Sequence, residues 1–328
     1  VYQRSFEAEA EDPFVETAVP IAVVDEGADG LFDGGDYLLF RAQSFEEQHM
    51  TVGYEDRFGV ENAYWFAGAP DLAARMETRP GWLDEPGLTP PESFRDTLRF
   101  EEDVFFYPRP QVIELDLYHW TSYTSQGDNH DLPFRIHGVV PGGEARLKAR
   151  YQGMTSGSHS IDLSIAHGDT ADNSVGTFVF SGVSRSMSED IFESEPFPSW
   201  YLGEGDHTLG TSGTSGLSYA NLDWFEIAYD RLFEAVDGRL AFTSSGEGGA
   251  SEFGIDAFES PDIRLFDVTD PWDTTELSLG EGQISPSGGV YGLTFQDEVT
   301  TFTRYEAVED DGYLRVASIE RRQPRDLH

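Results

Sequence analysis

The chain has 328 residues, 38% of them hydrophobic, which is enough to bury a sizeable core and to build two or three domains. Its 61 acidic and 21 basic residues leave a formal charge of −40, which repels a phosphate backbone and argues against nucleic acid and anionic membrane surfaces as partners. Cysteine is absent, which excludes disulfides, thiolate metal sites and a cysteine nucleophile, and no apolar run much exceeds residues 19–24, far short of the roughly 20 needed for a membrane helix.

Alternating apolar and polar residues recur from end to end, punctuated by Gly, Asp, Ser and Pro, with almost no sustained helical period. The predicted class is all-β. Near the N-terminus an acidic loop spans residues 25–36, and the helix-forming run 71–77 is too short, between Pro70 and Pro80, to favour helix over strand. Four prolines in 80–91 mark a connection, after which residues 112–118, 161–165 and 224–229 alternate as strands with one buried face each. The run 210–216 (GTSGTSG) reads as a turn. Asp237-Gly238 and Asp311-Gly312 each sit between apolar runs and predict hairpins with primed turns.

These breaks divide the chain into an N-terminal β-rich segment with the acidic loop (1–100), a jelly-roll-like β-sandwich (101–231), a further β-rich segment (232–320) and a basic tail (321–328) that reads as a linker toward a missing domain. The start at Val1, without Met or an apolar signal segment, is expected of a mature or trimmed product. Lys148 is the only lysine beneath the acidic excess. Dense carboxylates repel one another at low ionic strength, so this composition suits concentrated salt, the alternative being ordinary extracellular acidity serving calcium.

The sharpest motif lies in the acidic loop. Asp25, Asp29, Asp33 and Asp36 fall at positions 1, 5, 9 and 12 of a calcium loop, Gly30 at the sharp-turn position 6, and Leu31 offers its carbonyl at position 7. Position 3 is Gly27, which lacks a ligand side chain, and position 12 is Asp rather than Glu, as in dockerin-type loops. A structural calcium ion of millimolar affinity and a plain acidic turn are the two readings. Of eight histidines, His119, His130, His137, His159 and His167 cluster in sequence within the sandwich segment. Zinc would need three or four ligands converging in space, and the DNHD string around His130 reads as a solvated turn. No GxSxG elbow is present, and 61 acids make accidental carboxylate pairs certain. Tyr118, Trp120 and Tyr123 are either core or a platform for sugar rings.

Four strings carry a family resemblance: residues 29–43 (DGLFDGGDYLLFRAQ), 64–76 (YWFAGAPDLAARM), 222–231 (LDWFEIAYDR) and 258–271 (FESPDIRLFDVTDP). In this order they resemble the region preceding the catalytic domain in the gingipain family of cysteine peptidases, which includes the cell-surface peptidase of type IX secretion. Residues 159–168 (HSIDLSIAHG) also fit that family's sandwich, with His167 where Asn is expected. The resemblance implies an extracellular or cell-surface accessory region whose catalytic His and Cys lie in a following α/β domain, with no catalytic residue here. Its partner would be that missing domain or another cell-surface protein. A glycan- or protein-binding sandwich module is the alternative, and a carbohydrate-active enzyme the second.

Overall fold

A computed structural model describes residues 2–6, 14–42, 64–66, 74–107, 117–168, 172–186, 188–214, 216, 218–244, 248–300, 302–316 and 318–320. The first strands are β1 (Tyr2–Phe6), β2 (Phe14–Ala18), β3 (Ala22–Val24), β4 (Tyr37–Leu39), β5 (Tyr64–Trp65) and β6 (Glu77–Pro80). They are followed by β7 (Ser93–Glu101), β8 (Phe105–Phe106), β9 (Tyr118–His119), β10 (Thr121–Tyr123), β11 (Asn129–Ile136), β12 (Glu144–Gly153), β13 (Ser158–His167), β14 (Asn173–Ser181), β15 (Ile191–Glu193), β16 (Phe197–Pro198), β17 (Gly205–Gly213) and β18 (Ala220–Leu232). The last are β19 (Arg239–Thr243), β20 (Gly249–Phe258), β21 (Ile263–Asp267), β22 (Thr275–Ser278), β23 (Ile284–Ser287), β24 (Val290–Val299) and β25 (Arg304–Glu309). The described helix is short 3₁₀ turn, at Ser199–Tyr201 and Asp310–Gly312. The fold is all-β.

A jelly-roll-like sandwich forms from two antiparallel sheets. In one, β18 and β12 are central, flanked by β10, β7, β15 and β16; the other runs β11-β17-β13-β14. The alternation predicted for 161–165 and 224–229 is realised in β13 and β18. Ile161, Leu163 and Ile165 face Leu147, Phe225, Ile227 and Tyr229 in one buried cluster. Most of residues 112–118 lies outside the described residues. A second core packs Phe233, Phe242, Phe253, Phe295 and Tyr305 between the sheets β19-β25-β21-β22-β6 and β20-β24-β23. Ring centroids 5.0 to 5.3 Å apart at tilted and edge-on angles give the Phe233–Phe242, Phe242–Phe253, Phe242–Tyr305 and Phe295–Tyr305 pairs their favoured geometry.

One continuous ladder joins the cores. β7 pairs with β18 from Glu101 opposite Trp224 to Ser93 opposite Leu232. Leu98 and Phe100 of β7 pack on the first core while Phe94 belongs to the second.

Three local expectations are corrected. The run 210–216 is not all turn, because Gly210 to Gly213 complete β17, held on both sides by β11 and β13; Gly210 lies where a Cβ would come within 2.7 Å of Ser164 Oγ. Asp311-Gly312 makes no hairpin. It belongs to the 3₁₀ turn ending β25, whose ladder partners are β19 and β21 rather than residues 313–316. Asp237-Gly238 does make the primed turn, with φ of 51° and 74°, but the preceding arm contributes only the bridge Val236 to Arg239, since Ala235 donates to Asp256 instead. In the run 71–77 the described part is extended: Arg75 bridges Ile21 and Glu77 opens β6.

Candidate functional site

The acidic loop connects β3 to β4, which pair antiparallel with Val24 opposite Tyr37. Its carboxylates fold back onto its own amides. Asp25 accepts from Asp29 N–H (3.3 Å) and Gly30 N–H (2.8 Å), and Asp29 accepts from Leu31 N–H (2.8 Å). Asp36 closes the loop, accepting from Glu26 N–H (2.9 Å) on one arm and Asp33 N–H (2.7 Å) on the other. Gly30 has φ of +78°, the left-handed turn that the calcium pattern places at position 6. These are the hard oxygen donors calcium takes, yet among the described residues no three His, Cys, Asp or Glu side chains gather as a metal-holding group. The structure therefore brings Asp25, Asp29, Leu31, Asp33 and Asp36 into one loop and commits the carboxylates of Asp25, Asp29 and Asp36 to closing it. At its root, burial and the nearby Asp310 raise the Tyr37 phenol above its ordinary range.

The five predicted histidines do not converge on one place. His119 and His159 are buried, and the His159 ring stacks on Phe180 with Nε2 3.1 Å from Gly182 O. His130 and Asp131 lie on β11 rather than in a solvated turn, because the turn ends at Asp128. The Asp128 carboxylate accepts from Thr124 N–H (2.7 Å) and Ser125 N–H (3.0 Å), and these backbone bonds hold its pKa down to about 2. His130 Nε2 meets Ser122 O at 2.9 Å. His137 and His167 lie close to Glu204 at one end of the sandwich, joined by His207. Sequence reasoning passed over His207, which lies 40 positions from His167 but is its direct ladder partner.

Trp120 and Tyr123 are core residues, 7% and 0% exposed, and Trp120 stacks on Phe225 at 5.4 Å. They offer no platform to a sugar ring.

Two ion-pair groups, one fully buried and one half-buried, escaped the sequence. Arg150 of β12 donates to Asp223 of β18, both side chains within 1% of full burial. Arg79 of β6 donates to Asp297 of β24 and to Asp267 of β21. Buried charges need partners, so an Arg at the centre of a strand was the one available signal.

No family model and no curated protein matches the chain. Among solved structures, dimeric latent PorU from Porphyromonas gingivalis aligns with a TM-score of 0.59 and 12% identity, covering 94% of this chain and 29% of that one. The chain shares its fold with part of PorU. It thus spans under a third of PorU's length, and at 12% identity the likeness carries the fold and no side-chain chemistry. A Paenibacillus cycloisomaltooligosaccharide glucanotransferase complexed with cycloisomaltoheptaose gives a TM-score of 0.27 at 9% identity, over 71% of this chain and 48% of that one. The infectious bursal disease virus VP2 subviral particle gives 0.26 at 9% identity, over 75% and 45%. Both lie far below the PorU value. No helix among the described residues is long and apolar enough to cross a membrane.

Proposed function

We propose that this chain is a non-catalytic accessory region of a secreted, gingipain-like cysteine peptidase, which docks, shields or presents a catalytic domain outside it. The observation that carries the reading is the alignment to latent PorU, which takes in nearly all of this chain and under a third of PorU. Two further features support it. The chain has no cysteine to serve as nucleophile. Its two cores are welded by the β7–β18 ladder, which suits a rigid platform for a neighbouring domain. An extracellular or cell-surface location belongs to the same proposal, as does weak structural calcium at the acidic loop.

The coding sequence beyond residue 328 tests it. An α/β domain carrying a His and a Cys supports the reading; a stop codon or an unrelated domain overturns it. The isolated chain should leave Arg- and Lys-directed peptide substrates intact, and turnover that survives thiol alkylation and repurification would count against an accessory role.

A further inference from the structure

We propose that His207 is the proton-sensitive pin of a clasp that closes one end of the sandwich, holding the turn at 203–205 shut at neutral pH and releasing it under mild acid. His207 lies on β17 between its two ladder partners, His167 of β13 and Phe134 of β11. The three rings form a column: His167 to His207 is 4.6 Å at 20°, and His207 to Phe134 is 5.1 Å at 25°. Phe134 anchors the column in the first core, and His207 itself is only 3% exposed.

The hydrogen bonds fix the state of the His207 ring. Gly203 N–H donates to Nε2 at 3.0 Å, so Nε2 must carry a lone pair. The proton then resides on Nδ1, which donates to Gly205 O at 2.8 Å. Adding a second proton places N–H against N–H at Gly203, and the bond that ties the turn to the ring is lost. Stacking room is also tight, since a Cβ on Gly203 would come within 2.1 Å of the His167 ring.

Glu204, at the centre of the turn, transmits the change. Its carbonyl meets His167 Nε2 at 3.0 Å, and its carboxylate accepts from Val139 N–H at 3.1 Å and lies 3.4 Å from His137 Nδ1. Opening the turn therefore loosens the chain leaving β11 as well. The charged and titratable groups around His207 are His167 from β13, Glu204 and Asp206 from its own segment, and Arg135 and His137 from the β11 side, Arg135 being 3.5 Å from Asp206.

Burial holds the His207 imidazole below the ordinary histidine range; His167 adds to this, while the Gly205 carbonyl, Asp206 and Glu204 oppose it. A base whose folded pKa is depressed is protonated more readily in the unfolded chain. Its contribution to stability is therefore complete above about pH 6.5 and is lost as the pH falls below that value.

The test uses the ¹⁵N-labelled chain in concentrated salt. At about pH 7.5 the His207 ring should show the Nδ1–H tautomer with a bare Nε2. Between about pH 7.5 and 5.5 the melting midpoint should fall, and Gly203 amide exchange, corrected for its intrinsic rate, should rise about tenfold. His207→Phe keeps the ring column and removes the proton, so its midpoint should fall clearly less over the same range. An Nε2–H tautomer at neutral pH, or an equal fall in the folded variant, overturns the clasp. Should the variant not fold, the wild-type tautomer and the Gly203 exchange decide.

Discussion

Arg79 and Asp297 are 218 positions apart in sequence and joined as a two-armed ion pair, with Nη2 2.6 Å from Asp297 Oδ2 and Nη1 donating to the other oxygen. The same Nη2 reaches Asp267 at 2.8 Å, and Tyr305 O–H donates to Asp297 at 2.7 Å. Burial, reinforced by Asp297, pushes the Tyr305 phenol far above its ordinary range, so it stays a donor. The group ties β6, which pairs in parallel with β22, to three strands of the second core. Asp267 lies within the string 258–271, and its carboxylate also accepts from Thr269 N–H and O–H, shaping the turn that follows.

Removing Arg79 leaves the Asp297 carboxylate, 2% exposed, without its cation. Arg79→Ala should cost about 3 kcal/mol in denaturant unfolding, and Arg79→Lys most of that, because an ammonium cannot span both oxygens and Asp267 together. A midpoint equal to wild type for either variant would show that the pair is energetically idle.

The Arg150–Asp223 pair makes a sharper case, because both side chains are buried at a bulge where the β12–β18 register shifts. Either Arg150→Met or Asp223→Leu alone should cost about 3 to 5 kcal/mol, whereas the double replacement should recover much of the loss. Additive losses in the double variant would mean that packing, and not uncompensated charge, governs the site.

What was legible in the sequence was local. Period-two alternation in residues 161–165 and 224–229 named β13 and β18, because each strand buries one face. The turn at Asp237-Gly238 was readable because both residues adopt positive φ, which glycine accepts freely. Gly210 to Gly213 misled, since glycine and serine look like turn residues until a neighbouring strand presses Ser164 against them. Neither the His167–His207 column nor the Arg79 pair had a spacing to betray it. Each is made by strand registers that bring distant positions together.

Calcium at the acidic loop is open to direct test. At about ten times a millimolar Kd, an ion bound only by the folded state adds about 1.4 kcal/mol, visible as a higher melting midpoint. Asp29→Ala should abolish the increment, and magnesium should give less, because its octahedral demand suits the loop poorly. Identical melting in chelator and in Ca²⁺ at fixed ionic strength would leave the loop as a turn closed by Asp25 and Asp36 alone.

Salt bears on the most residues. If every one of the 21 basic side chains neutralised one acid, 40 of the 61 acids would still lack a cation, and several arginines are already committed, Arg79 to Asp297, Arg150 to Asp223 and Arg231 to Asp96. The remaining repulsion can be relieved only by solvent ions. The Debye length falls from about 30 Å at 0.01 M to about 3 Å at 1 M, so the unfolding midpoint should climb steeply across that range of NaCl. The Arg150–Asp223 pair is buried and screened far less, so the Arg150 and Asp223 variants should climb in parallel with wild type. Concentrated salt also strengthens apolar burial, and an uncharged osmolyte matched for that general effect separates the two causes. If osmolyte and salt stabilise equally, or if the midpoint is flat in salt, self-repulsion is not what limits this fold and its acidity serves solubility or ion binding instead.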